Sequence, residues 1–280
     1  MARLTAALLL MLFVSAARAG APVTVAVSIA PVAWLAGEIG GADVTVVTLL
    51  GPNDSPATYA PGPRDLIALG DARAWLLAGV PFESAWAARI QADRPDLMLI
   101  DLTAGLPSRP TDGGNAGHGA ADPHRWTDPA LFARMADPVL QTLAELAPEH
   151  ADEFRRRHAA VVSALADLDQ ELARTLAPHA GRSFMAVHPS WGYFADAYDL
   201  RQIAIEQDGH DPGPKSLAEV IDRAREENVR VLLVQRQFSR RTAEAVAAEL
   251  DARLVAADPL AADYGASLRR VAKTLAESFE

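Results

Sequence analysis

The chain has 280 residues, half of them hydrophobic, no cysteine, and 36 acidic against 26 basic side chains for a formal net charge of −10. An acidic balance of this size speaks against nucleic acid and anionic membranes as partners. Without cysteine, any exported form of the protein must be stable without disulfides.

The first residues read as a targeting segment. Arg3 precedes an apolar run from Leu4 to Val14, and Ala17-Arg18-Ala19 fits a small-residue cleavage site. These are the marks of a secretory signal peptide over residues 1–19. The run is shorter than the roughly 20 residues a spanning helix needs, and no later stretch reads as a membrane span. No cysteine follows it to take a lipid. The expectation is a periplasmic protein without a membrane anchor, and a monomer. The remaining length suits one large domain or two smaller ones.

Apolar alternation and β-branched residues predict strands at Val23–Ile29 and Val44–Leu50, with a helix over Val32–Ile39 opened by Pro31. Gly51-Pro52-Asn53-Asp54-Ser55-Pro56 reads as a loop. A short helix at Pro63–Leu69, a buried strand at Ala74–Ala78, a helix at Phe82–Ala92 and a strand at Leu97–Asp101 follow. Strands alternating with helices imply parallel βαβ units. The stretch 103–122, rich in Gly and Pro and holding His118, breaks the pattern as a surface loop. Pro129–Leu146 is helical again.

Pro148–Ala177 carries Phe154, Val161, Leu165, Leu168, Leu172 and Leu176 at helical spacing, with charges on the other faces. One helix of about 30 residues would run roughly 45 Å, a strut between two halves; two helices with a kink are the alternative. Beyond Gly181, strands are predicted at Ser183–Val187, Gln202–Glu206, Val229–Val234 and Arg253–Ala256. Helices are predicted at Trp191–Tyr198, Pro214–Glu227, Arg240–Leu250 and Leu260–Phe279. The expected fold is α/β: two lobes, each a mainly parallel sheet flanked by helices, joined by one long helix. The divisions fall at 1–19, an N-terminal lobe 20–147, the helix 148–178 and a C-terminal lobe 179–280. No internal repeat stands out.

Three residues are candidate metal ligands. His124 lies in Asp-Pro-His-Arg-Trp just before a helix, His188 directly follows the strand ending at Val187, and Asp258 follows the strand ending at Ala256. Ligands in open α/β sheets bind beyond the carboxyl ends of strands, and two of the three sit there. Imidazole nitrogen with carboxylate oxygen suits zinc, with manganese and other first-row ions as alternatives. Each residue alone has a plainer role: a lone His after a strand is often structural, and an Asp before Pro often caps a helix or turn. Trp126, Trp191, Tyr193 and Phe194 either line the cleft or pack the core. His150, His158, His179 and His210 read as surface or packing residues.

Several segments carry a resemblance. They are Ser28-Ile29-Ala30-Pro31, Gly51–Pro56 with Tyr59-Ala60-Pro61, Asp122-Pro123-His124-Arg125-Trp126, His188-Pro189-Ser190-Trp191-Gly192-Tyr193-Phe194, Gln235-Arg236-Gln237-Phe238-Ser239 and Asp258-Pro259-Leu260. Over nearly all of the mature chain these resemble the zinc/manganese-type solute-binding proteins of bacterial ABC importers. The resemblance implies two α/β lobes joined by a long helix, metal bound by His124, His188 and Asp258, and a membrane permease as partner. The His at position 188, where manganese members often carry Glu, leans towards Zn²⁺. The departure is Ala57, where the family usually places a His. Water, His118 on the Gly-rich loop, or more weakly Asp54 or Glu206 would then fill the fourth position, or the cargo would differ.

The function expected on these grounds is capture of a divalent transition metal, zinc foremost, and delivery to an ABC importer. An altered cargo (a chelated metal or an organic ligand) and a metal chaperone are the alternatives. Three ligands plus water is also the pattern of hydrolytic zinc. However, the chain has no H-E-x-x-H, no G-x-S-x-G, no P-loop and no G-x-G-x-x-G, so an enzyme is not expected.

Overall fold

The computed structural model of the protein describes residues 21–112, 121–206, 212–238 and 240–280. The expected signal peptide, His118, His210 and Ser239 lie outside the described residues. No helix among the described residues is long and apolar enough to cross a membrane.

The first lobe holds β1 (Val23–Val27), β2 (Val44–Thr48), β3 (Ala74–Leu77) and β4 (Met98–Asp101), all parallel in the order β2-β1-β3-β4. The crossovers run through α1 (Ala30–Gly40), α2 (Pro63–Gly70) and α3 (Pro81–Asp93). The second lobe repeats this order with β5 (Ser183–Ala186), β6 (Arg201–Ala204), β7 (Val231–Val234) and β8 (Arg253–Ala256), again all parallel as β6-β5-β7-β8. Its crossovers are α6 (Gly192–Ala197), α7 (Pro214–Glu226) and α8 (Arg240–Glu249). The short apolar strands suit sheets covered on both faces: all four residues of β5 and of β7 are buried. In each sheet the strand order reverses between the first and third strands, the place where open α/β sheets form a crevice.

α4 (Pro129–Leu146) packs on α1, β4 and α5 (Ala151–Leu176), and α5 is the long helix that joins the lobes. Asp128 starts α4, its carboxylate accepting from the amides of Ala130 and Leu131. α5 is one uninterrupted helix of 26 residues, about 39 Å long, which settles the strut against the kinked pair. Its ends tighten into 3₁₀ turns at Pro148–His150 and Ala177–His179, each holding a proline that limits the α-helical run. The predicted apolar stripe of α5 is the buried one, from Phe154 to Leu176. His150 lies 3.7 Å from Asp43, while Glu153 pairs with Arg156 and Arg157.

The last helix, α9 (Tyr264–Phe279), begins four residues later than its apolar pattern predicts, because Asp258–Asp263 form a turn at the site described below. It packs on α5, and Tyr264 reaches the first lobe, with ring centroids 5.4 Å from Trp34 and 4.5 Å from Phe132. One hydrophobic core therefore runs through both lobes, α5 and α9. A second, smaller core around Met185, Ile203, Leu232 and Val246 packs α7 and α8 on the second sheet.

Candidate metal centre

The carboxyl ends of both sheets face one another, and the candidate ligands sit there. Pairing continues past the ends of β5 and β6, where Ile205 N–H donates to Ala186 O and Glu206 N–H to Val187 O. This sets His188 and Glu206 side by side. The Nδ1 of His188 meets Glu206 Oε2 at 2.5 Å, and Glu206 is only 6% exposed. Phe238, on the turn after β7, stacks on the same imidazole with centroids 5.1 Å apart.

His124 is held in a parallel way from the first lobe. An isolated antiparallel bridge, Pro110 with Ala121, closes the base of the Gly/Pro loop, and Asp122 N–H donates to Arg109 O. The fully buried Asp122 Oδ1 accepts from the His124 backbone N–H at 2.9 Å and contacts its Nδ1 at 2.8 Å. Thr127 donates its hydroxyl to His124 O, opening the 3₁₀ turn Arg125–Thr127 that leads into α4. The two imidazoles meet edge to face, their centroids 5.3 Å apart.

In both cases a buried carboxylate at Nδ1 selects the tautomer with the proton there, so Nε2 carries the lone pair a metal requires. Each Nδ1 is thus engaged, and Nε2 is the nitrogen left to face a metal. Burial, the largest influence, holds the His124 imidazole below the usual histidine range; the Asp122 carboxylate pulls upward without prevailing, and the charges of His188 and Arg109 add to the lowering. His124 is therefore neutral at neutral pH. Burial favours the neutral acid at Asp122, but hydrogen bonds from the His124 ring and amide and from Arg109 outweigh it and hold the carboxyl below its usual range.

Arg109 is the hub of this support. Its guanidinium pairs with Asp112 and Asp122 at 2.9 Å and with Asp196 of α6 at 2.8 Å. Tyr193 of α6 donates towards Pro107 O and Asp122 O, and Gln202 of β6 donates to Asp112 at 2.6 Å. Gly192 explains itself here: a Cβ at this position would overlap the Arg109 guanidinium and lie 2.8 Å from Asp122 Oδ2. The loop that carries His124 is thus bolted to the second lobe.

Asp258 follows β8, and the residue after it is tied to the first lobe: Trp126 Nε1 donates to Pro259 O at 2.8 Å, and Tyr264 donates to Trp126 O at 2.8 Å. Trp126, Trp191, Tyr193 and Phe194 are all buried. The Asp258 carboxylate is taken up by Arg236 Nε at 3.0 Å and Leu260 N–H at 2.9 Å. The structure thus brings His124 and His188 together and leaves Asp258 on a guanidinium. Among the described residues no group of three or more His, Asp or Glu side chains stands assembled as an ion site.

Ala57 is exposed on the loop between β2 and α2. Asp54, weighed above as a fourth ligand, instead accepts from Gly51 N–H at 2.8 Å and shapes its own turn. Glu206 is engaged by His188. The supporting roles of Asp122, Glu206, Arg109, Arg236 and Phe238 were not read from the sequence. Only Asp122, two residues before a candidate ligand in Asp-Pro-His, carried a local signal.

A family model described as "Zinc-uptake complex component A periplasmic" (ZnuA) matches residues 25–278. The chain belongs to this family. A crystal structure of ZnuA shares 37% sequence identity, covering 92% of this chain and 100% of that one, with a TM-score of 0.87. A ZnuA deletion mutant with zinc bound shares 38% identity over 92% of this chain and 98% of that one, with a TM-score of 0.86. The manganese-binding lipoprotein MntA of Bacillus subtilis (strain 168) is 24% identical over 220 residues, covering 77% of this chain and 71% of its own. The two-lobe fold is that of ZnuA-type binding proteins. Membership places the chain among metal-capturing components of uptake systems, not among enzymes, and the family is described as periplasmic.

Proposed function

We propose that this protein captures a divalent transition metal, zinc foremost, between the ends of its two sheets and hands it to the membrane permease of an ABC importer. His124 and His188 are the nitrogen ligands and Asp258 the oxygen ligand. The observation that carries this reading is the pair of imidazoles 5.3 Å apart, each with Nδ1 held by its own buried carboxylate. Such carboxylate–histidine pairs orient metal ligands and raise their basicity. The fourth position, left by Ala57, falls to water or to His118. The protein acts as a monomer in the periplasm.

Metal analysis of the natively purified protein, then titration of the metal-free form with Zn²⁺ and Mn²⁺, tests this. At a hundredfold excess over Kd, a bound ion stabilises by about 2.7 kcal/mol, readily seen in a melt. No bound metal and no thermal shift with either ion would end the reading. His188→Ala is expected to weaken binding severely. Ala57→His is expected to tighten zinc binding about tenfold or more, equivalent to about 1.4 kcal/mol; unchanged affinity would mean that another group already fills the fourth position.

A second reading has one observation in its favour. A cavity of about 810 Å³ beside Asp258 is lined by Arg236, Arg240, Arg270 and Lys273 as well as by Asp258, Asp263 and Glu277, a mixed lining large enough for a metal chelate bearing carboxylates. Zinc titrations with and without citrate separate free-ion from chelate capture.

A further inference from the structure

The Asp258 carboxylate is already occupied by a cation of the chain itself. Its Oδ2 lies 3.0 Å from Arg236 Nε, an ion pair. The register of the sheet produces this pairing: Ala257 N–H donates to Val234 O, so the residues that follow β7 and β8 are held abreast.

Arg236 stands on a turn whose neighbours each touch a different wall of the site. Gln235 donates to the Ser190 hydroxyl, next to the His188 loop. Gln237 reaches the other lobe and donates to Pro52 O at 3.1 Å, on the loop that carries Ala57. Phe238 stacks on His188. The turn is therefore anchored on both sides of Arg236, and its guanidinium is delivered to one carboxylate.

We propose that Arg236 is a tethered cation that holds Asp258 in the metal-free protein and must give up Oδ2 when a metal ion binds, so that it sets the affinity of the site and eases release. This rests on Asp258 being a metal ligand. A guanidinium and a divalent ion compete for the same negative charge, and the ion carries twice the charge at closer range. Departure costs the guanidinium little, because Arg236 is 55% exposed and regains water, whereas the Asp258 side chain is 17% exposed. There is room for it: Arg236 lines the 810 Å³ cavity, whose other carboxylates, Asp263 and Glu277, already pair with Arg270 and with Arg253 and Lys273. On release the guanidinium returns, neutralises Asp258 and opposes recapture.

The test is Zn²⁺ affinity by chelator competition at low ionic strength, for the natural chain, Arg236→Gln, Asp258→Ala and the double variant. Removing the competing charge is expected to tighten binding about fivefold or more, the value of one unit-charge contact in water, and to have no effect once Asp258 is alanine. Arg236→Ala is expected to behave like Arg236→Gln. Unchanged or weaker binding in Arg236→Gln overturns the proposal, as does tightening that persists without Asp258. If Asp258→Ala alone leaves affinity intact, the assignment of Asp258 as a ligand fails, and with it the basis for a role of Arg236.

Discussion

Phe238 lies nearly flat on the His188 imidazole, the ring planes 15° apart. Glu206 fixes the Nδ1 edge of that imidazole and Phe238 covers one face, so the ring has one orientation and Nε2 one direction. Phe238→Ala is expected to weaken zinc binding about two- to tenfold, the worth of a stacked ring contact. The melting temperature of the metal-free protein should change little, since Phe238 is only partly buried. Titration calorimetry with unchanged affinity would show that Glu206 alone orients the ligand.

The two supporting carboxylates are expected to differ when neutralised. Glu206→Gln should cost about 10- to 100-fold in zinc affinity, as loss of an outer-shell partner does, with little loss of stability. Asp122→Asn should cost affinity on the same scale and also about 1–3 kcal/mol of stability, because Asp122 is fully buried and serves Arg109 as well as His124. Paired urea denaturation and chelator competition read the two effects separately. Equal stability losses would mean that Arg109 does not depend on Asp122.

Gly192 touches neither imidazole, yet a methyl group there would displace the Arg109–Asp122 pair behind His124. Gly192→Ala is expected to destabilise the fold by about 1–3 kcal/mol and to weaken metal binding. A stability loss with intact affinity would show that the ion pair can relocate without moving His124.

Glu83 gives the first lobe a pH dependence. Its carboxylate is 3% exposed and accepts from the amides of Ala78, Gly79 and Val80, yet burial outweighs these bonds and pushes its pKa up to about 7. A carboxyl raised in the folded state binds its proton more tightly there than in the unfolded chain. Its contribution to stability is thus greatest below the ordinary glutamate range and is lost as pH rises through about 7. The loss is on the order of 3 kcal/mol. Urea unfolding of the metal-free protein at pH 5 and pH 8, repeated for Glu83→Gln, should show this decline only in the natural chain. A decline of equal size in both assigns it to other groups.

The strands, helices and lobe order were legible because buried parallel strands and a long amphipathic helix write their periodicity directly into the chain, from Val23 to the stripe of α5. The boundary at α9 was not, because Leu260 continues the apolar pattern while the backbone is turning around Asp258. Of the candidate site, His124, His188 and Asp258 were picked out as residues following strands or opening a helix, and the structure brings the two histidines together. Their partners were not: Glu206 is 18 positions from His188, and Arg236 is 22 from Asp258. Only pairing between neighbouring strand ends makes them adjacent. The arginine on Asp258 could not be foreseen from a metal-binding pattern, which names what an ion attracts and not what already stands there.

The shared core has a thermodynamic consequence. Leu35, Phe132, Leu165, Phe184, Leu233 and Leu275 belong to one buried cluster drawn from both lobes, α5 and α9. Neither sheet can expose its inner face without stripping partners from the other. The two lobes should therefore melt together, in a single calorimetric peak whose enthalpy matches the van't Hoff value. Either lobe made alone should remain unfolded. The separate cluster beneath α7 and α8 is the region free to open first, and its amides should exchange hydrogen ahead of the rest.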